Sequence, residues 1–261
     1  MITFKDVSFC YPSYGREPKK VLFDVSFSIP DGSFVGIAGN MGSGKTTLCK
    51  LMSGLLKPSS GQIERSKSVS FAMQFPESQL FESTVIKDVM FGPMNRGLSE
   101  KEARMISEEC LVSMGLGKDF FDRNPLRLSG GEKRRVALAG ILSMDADTII
   151  LDEPCAGLDP KWHDRLLEIL HGLNEKGKTV IIVSHNIDDI ARNCRTLLYL
   201  KDSKLADMGK AKDVICRHEE LETSSMAFAK RLTDAGFKID FKKAVTTEDL
   251  ASLIADRQSS L

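Results

Sequence analysis

The chain reads as an α/β protein: a mixed, mainly parallel sheet with an N-terminal antiparallel β part, a helical insert and a short helical C-terminal tail. Three observations predict this. Apolar runs of strand length alternate with amphipathic helical stretches, a pattern that calls for parallel strands covered on both faces. The first of those runs ends in a glycine-rich turn that opens a helix. A long middle stretch has few β-branched residues and shows helical spacing instead.

Val7 to Tyr11 and Val21 to Ile29 alternate apolar and polar residues, the period of half-buried strands, and residues 12–20 between them are rich in Pro, Gly and charge, as loops are. Asp31-Gly32 turns the chain into Phe34 to Ala38, an unbroken apolar run expected to be buried on both faces. A helix begins near Lys45. From about 84 to 144 the insert is helical: Ser99 and Glu102 form a capping box, Ala103, Ile106, Cys110 and Met114 recur at helical spacing, and Leu128 to Leu142 is a second helical run. Strands then return at Thr148 to Leu151, Thr179 to Val183 and Thr196 to Leu200. Between the first two lies a helix with Trp162, Leu166, Ile169, Leu170 and Leu173 on one face. A main domain is expected over 1–217 and a short helical extension over 218–261. The extension carries one helix around Met226 to Ala235, ended by Gly236, and another starting at a Thr247 cap with Leu250, Leu253 and Ile254.

Composition narrows the function. Lys+Arg and Asp+Glu both total 36, so no net charge drives binding to nucleic acid or to an anionic surface, and no nucleic-acid partner is expected. No apolar run approaches the ~20 residues that cross a bilayer, and the start lacks the basic and apolar regions of a secretory signal. The six cysteines show no Cys-x-x-Cys and no clustering with the four histidines. Zinc and disulfides are therefore not expected, and a reduced, cytoplasmic protein is.

Gly39-Asn40-Met41-Gly42-Ser43-Gly44-Lys45-Thr46, followed by Thr47, fills the P-loop pattern where a buried strand meets a helix. Glycines let the backbone wrap a triphosphate and aim its N–H groups inward, and the positive helix end adds to the attraction. Lys45 supplies a point charge to the β/γ-phosphates, and the Thr46 hydroxyl can ligate Mg²⁺. Thr148-Ile-Ile-Leu-Asp152-Glu153 is an apolar strand ending in two carboxylates. Asp152 would hold Mg²⁺ through its water shell, and Glu153 would polarise the attacking water. Leu128-Ser129-Gly130-Gly131-Glu132 opens another helix with free amides, a second phosphate-binding start without its own lysine loop. A two-fold dimer resolves this, each nucleotide lying between one chain's P-loop and the other's Ser-Gly-Gly turn.

The set resembles the ATP-binding-cassette ATPases: the P-loop, Gln74, the signature Leu128 to Glu132, Asp152-Glu153, Ala156 to Asp159, and His185 ending a strand, all in family order over residues 1 to about 215. The resemblance implies a P-loop NTPase fold, ATP and Mg²⁺ as ligands, and Glu153 and His185 as catalytic residues. It implies Gln74 as a Mg²⁺ and water contact coupled to the insert, and Ser129, Gly130 and Gly131 as contacts to the partner's γ-phosphate. Asp159 would bridge the interface and His185 would hold the γ-phosphate. Tyr11, with Tyr14 as a weaker candidate, matches the aromatic that stacks on adenine. Gln74 to Phe81, Val89 to Gly92, Gly130 to Arg135 and the Gly236 to Ile239 tail are similar to the ATPases of energy-coupling-factor transporters, which import vitamins and metal ions. Met41 and Cys155 stand where that group has other small or β-branched residues, and Thr148 opens the Asp-Glu strand. This resemblance implies a peripheral subunit on the inner face of the cell membrane. Its partners would be a second such ATPase, identical or related, and integral membrane subunits. A soluble cassette ATPase acting on nucleic acid or ribosomes is the alternative, disfavoured by a single cassette and no heptad run.

Overall fold

The computed structural model describes residues 1–12, 19–237 and 239–258. Two sheets enclose one helix. β1 (Ile2–Tyr11) pairs antiparallel with β2 (Lys19–Ile29). β3 (Phe34–Gly39) enters the second sheet and leads through the glycine turn into α1 (Lys45–Ser53). β4 (Ser60–Arg65) returns to the outer edge of β1, and β5 (Val69–Ala72) begins the far edge of the second sheet. The first strand starts at Ile2, five residues before the alternation at Val7 suggests. Register shifts between Phe4 and Val7 break the period there.

The insert follows as α2 (Val85–Asn95), α3 (Glu100–Ser113), α4 (Lys118–Phe121) and α5 (Gly130–Ser143). Ser99 caps α3 through the expected box with Glu102, and Ser129 and Glu132 form a second box at α5. The chain then alternates: β6 (Thr148–Asp152), α6 (Pro160–Glu175), β7 (Thr179–Val183), α7 (Ile187–Asn193), β8 (Thr196–Lys201) and the hairpin strand β9 (Lys204–Lys210). The second sheet has the order β5-β6-β7-β3-β8-β9, parallel except for β9.

Strands buried on both faces explain the unbroken apolar runs. In β7, Val180 and Ile182 face the core under the insert, while Ile181 and Val183 face α1 and the antiparallel sheet. Leu48, Leu51 and Met52 of α1 fill the space between the sheets against Phe4, Val25 and Ile37. The insert docks through Trp162 of α6: the Arg135 guanidinium lies 4.2 Å over its ring and donates to the Met114 carbonyl at 2.9 Å.

α8 (Ala211–Arg217), α9 (Ser224–Asp234) and α10 (Thr247–Gln258) close the chain. Met226 and Val245 join the main core, whereas Ala229, Ile239, Ala244 and Leu250 make a small cluster of their own. The cap of α10 is Thr246 rather than Thr247. Thr246 Oγ1 accepts from the Asp249 N–H, and the Asp249 carboxylate accepts from the Thr246 N–H. Both threonines can cap; the reciprocal partner three residues on selects the first.

Candidate active site

Where β3, β6 and β7 end beside α1, a cavity of about 480 Å³ opens, lined by Tyr11, Met41, Gly42, Gly44, Lys45, Thr46, Thr47, Gln74, Asp152, Glu153 and His185. Lys20, Val21 and Ser203, which no sequence motif marks, complete its wall. Gly39 and Asn40 border an adjoining recess with Ser184 and His185.

Two of the loop's glycines, Gly39 and Gly44, are required by space as well as by φ, whereas Gly42 is required by its φ of +79° alone. A Cβ at Gly39 would meet the Leu200 carbonyl at 2.2 Å, and one at Gly44, where φ is +101°, would meet the Val21 carbonyl at 2.9 Å. Lys45 Nζ donates to the Gly39 and Asn40 carbonyls at 2.6 and 3.0 Å, so the ammonium is held at the mouth of its own loop. Burial pulls its pKa down, and the Glu153 and Asp152 charges push the other way. Ser43 Oγ is buried with no hydrogen-bond partner among the described residues.

Thr46 Oγ1 donates to Asp152 Oδ2 at 2.6 Å, joining the end of the P-loop to the end of β6. Next in the chain, Glu153 has φ +52°, a left-handed backbone that turns its carboxyl away from the strand direction and into the cavity. Burial, and secondarily the Asp152 charge, raise its pKa to about 7. Its Oε1 is buried without a hydrogen bond and lies 3.5 Å from His185 Nε2. Burial and then the Lys45 charge lower the His185 pKa, favouring the neutral imidazole near pH 7. Tyr11 stands edge-on to Phe9 and its hydroxyl lies 3.4 Å from Thr47 Oγ1, which fixes a half-exposed ring at the cavity rim. Tyr14 lies outside the described residues.

Ser129, Gly130, Gly131 and Asp159 do not line this cavity. Ser129 Oγ is 2.7 Å from the Glu132 carboxylate in the box that caps α5, and Asp159 caps α6 by accepting from the Trp162 N–H at 3.1 Å.

A buried arginine beside the site carries no mark in the sequence. Arg134, 4% exposed, donates to the Gln74 carbonyl (3.2 Å), the Pro154 carbonyl (3.2 Å) and the Glu153 carbonyl (2.5 Å). It thus ties α5, the Gln74 loop and the Glu153 backbone together. In sequence it sits in a Lys-Arg-Arg run that looks like a solvated helix face. Contrary to the expectation that no cysteine clusters with a histidine, the fold brings Cys155 and His163 together with Asp189, although nothing in their spacing clusters them. All six cysteines are free.

A phosphate cradle, a hydroxyl–carboxylate pair at its foot and a poised carboxyl beside it define an ATPase of the P-loop kind. The chain belongs to the ABC transporter family, whose profile matches residues 22–156, and is an ATPase. Its similarity is narrower still. It is 39% identical to the energy-coupling factor transporter ATP-binding protein EcfA2 of Streptococcus agalactiae, over 91% of this chain and 93% of that protein. It is 35% identical to EcfA2 of Lactococcus lactis over 97% and 96%. Among solved structures, cbiO1 from Clostridium perfringens, described as part of the ABC transporter complex cbiONQ, superposes with a TM-score of 0.72. It is 30% identical, over 90% of this chain and 96% of that one. A dimeric ATP-binding cassette bound to ADP and phosphate after hydrolysis gives 0.74 at 30% identity, over 81% and 99%. No helix among the described residues is long and apolar enough to cross a membrane.

Proposed function

We propose that this chain is the ATP-hydrolysing subunit of an energy-coupling-factor importer for a vitamin or transition-metal ion, working at the inner face of the membrane in a dimer that closes on ATP. The names of its relatives support the transporter class. The dimer rests chiefly on one observation about Gly130 and Gly131. Neither has a positive φ, and a Cβ on either would meet nothing within 4 Å. Glycine in the first turn of a helix costs up to ~1 kcal/mol relative to alanine. Nothing inside the chain requires it here. A surface left bare of side chains at a helix N-terminus suits a phosphate group brought by a second chain.

Within one chain, the backbone amides of residues 39–46 and the Lys45 ammonium bind the phosphates, and Tyr11 stacks on the base. Thr46 and Asp152, with Gln74, are the residues that would hold Mg²⁺, and the donor set of hydroxyl, carboxylate and amide oxygens fits a hard cation. When bound, the ion offsets phosphate charge. Glu153 takes the proton of the attacking water, and neutral His185 donates to the γ-phosphate. Ser129, Gly130 and Gly131 come from the partner, with Asp159 at the interface.

Membrane subunits would dock on the insert. A groove of about 350 Å³ between the Gln74 loop and α2 and α5 is lined by Leu80, Phe81, Phe91 and Met144. Phe81 and Phe91 stand edge to face at 4.9 Å while remaining 59% and 46% exposed, a mouth suited to an apolar helix end. The test is capture of the Glu153→Gln chain with ATP in mild detergent. Integral membrane proteins and an ATPase chain should come with it. Recovery with ribosomes or nucleic acid and no membrane protein would refute the assignment.

A further inference from the structure

Cys155, His163 and Asp189 lie outside the nucleotide cavity, and hydrolysis as described uses none of them. They reach one point from three elements: the turn after β6, the first turn of α6, and α7. One ligand atom from each, sulfur, ring nitrogen and carboxylate oxygen, lies within 4.8 Å of the other two. The imidazole is held at both nitrogens: Nε2 is 2.9 Å from Asp189 Oδ2, and Nδ1 is 3.0 Å from Asp164 Oδ1. A carboxylate on the ring nitrogen that faces away from an ion is how metal-binding histidines are oriented. Asp189 is buried, while Cys155 and His163 keep partial exposure, so the cluster has both a shielded floor and a way in.

We propose that Cys155, His163 and Asp189 form a three-ligand site for a thiophilic divalent cation of the zinc class, with Asp164 orienting His163 and water completing the shell. One thiolate, one imidazole and one carboxylate suit a borderline-soft ion, whereas Mg²⁺ and Ca²⁺ prefer all-oxygen sets. A tetrahedral ion with bonds of ~2.0–2.3 Å spaces its donors about 3.3–3.8 Å apart, so side-chain rotation opens the 2.9 Å Nε2–Oδ2 pair slightly and draws in the wider separations, none of which exceeds 4.8 Å. On binding, the thiol proton and the Nε2 proton that the ring shares with Asp189 both leave to solvent, and sulfur and Nε2 bond the ion beside the Asp189 carboxylate. The ion would join the segment just beyond Glu153 to α6 and α7. Cys155 is also a position where the sequence departs from the small or β-branched residue its resemblance implies, which gives this chain a thiol of its own there.

The test is titration of the full nucleotide-free chain with Co²⁺ in metal-depleted buffer containing excess Mg²⁺. One equivalent should bring up a near-ultraviolet thiolate-to-cobalt band that Zn²⁺ abolishes and Cys155→Ser lacks. Asp164→Asn should weaken Co²⁺ binding by about 10- to 100-fold, the scale of losing an outer carboxylate. On the unaltered chain, Zn²⁺ should protect Cys155 from iodoacetamide, read by peptide mass spectrometry. Absence of the band, its survival in Cys155→Ser, or alkylation of Cys155 at the same rate with and without Zn²⁺ would each overturn the site and leave His163–Asp189 as a plain link between α6 and α7.

Discussion

Changing Glu153 to Gln should make the nucleotide-free protein more stable at high pH and nearly inactive at any pH. An acid whose pKa rises from 4.5 to about 7 on folding is disfavoured in its ionised form by roughly 3 kcal/mol. The side chain keeps 14% exposure at the cavity wall, so water screens part of this, and ~1–2 kcal/mol is the working figure. The sign follows from the direction of the shift. Below pH 4.5 the carboxyl is neutral folded and unfolded, and nothing is lost. As pH rises through about 7 the folded carboxyl is forced to ionise, and the penalty becomes complete. Glutamine has nearly the shape of the neutral acid and never ionises. The variant should therefore melt roughly 2–8 °C above the parent at pH 8 and close to it at pH 4.5, measured by thermal unfolding without nucleotide or Mg²⁺. Phosphate release should fall by two to three orders of magnitude, the scale of losing a general base. An equal stability change at both pH values would show that desolvation does not set the Glu153 pKa. Normal hydrolysis would move the base to another residue.

Lys45→Ala should weaken ATP binding at least tenfold by calorimetry, since it removes the ammonium at the loop mouth. Ser129→Arg should abolish turnover while leaving nucleotide binding intact, and mixing it with Lys45→Ala should recover roughly a quarter of parental activity if two copies share sites; no recovery rules out sharing between copies. Arg134→Met should cost about 3–5 kcal/mol by denaturant unfolding, because three carbonyls lose a buried charged donor. Tyr11→Ala should raise the dissociation constant for ATP by about 5- to 100-fold, the range of a base–aromatic stack, and should leave inorganic triphosphate binding unchanged.

What was legible in the sequence was what burial had written there. β3, β6 and β7 are apolar on both faces because cores lie on both sides, and Phe34 to Ala38 or Thr179 to Val183 has no other plausible role. β4 left no such mark: of Ser60–Arg65 only Ile63 is even partly shielded, and the strand exists because β1 offers an edge. β9 was likewise invisible, an edge strand made by pairing with β8. The P-loop and the Asp-Glu strand were legible because their chemistry is local in sequence. Arg134 was not, since a buried guanidinium and a surface one look alike until its acceptors are known. Nor was the Cys155–His163–Asp189 cluster, which three elements assemble.

The backbone of Glu153 shows why these long-range contacts matter to the chemistry. A non-glycine residue at φ +52° costs on the order of 1–3 kcal/mol and persists only where its surroundings leave no alternative. Here two groups fix it: its N–H donates to the Val183 carbonyl of β7 at 3.0 Å, and its carbonyl accepts from Arg134 at 2.5 Å. With the peptide held on both sides, the carboxyl must point across the end of the sheet, where burial and Asp152 raise its pKa. Relaxing φ would let the side chain follow the strand, reach water and revert to an ordinary acid, too weak a base for a proton at neutral pH. Strain and desolvation, held in place by the buried arginine, are therefore parts of a single device in the proposed mechanism, and the stability that strain and desolvation cost is the condition for a base near pH 7 at the foot of the phosphate cradle.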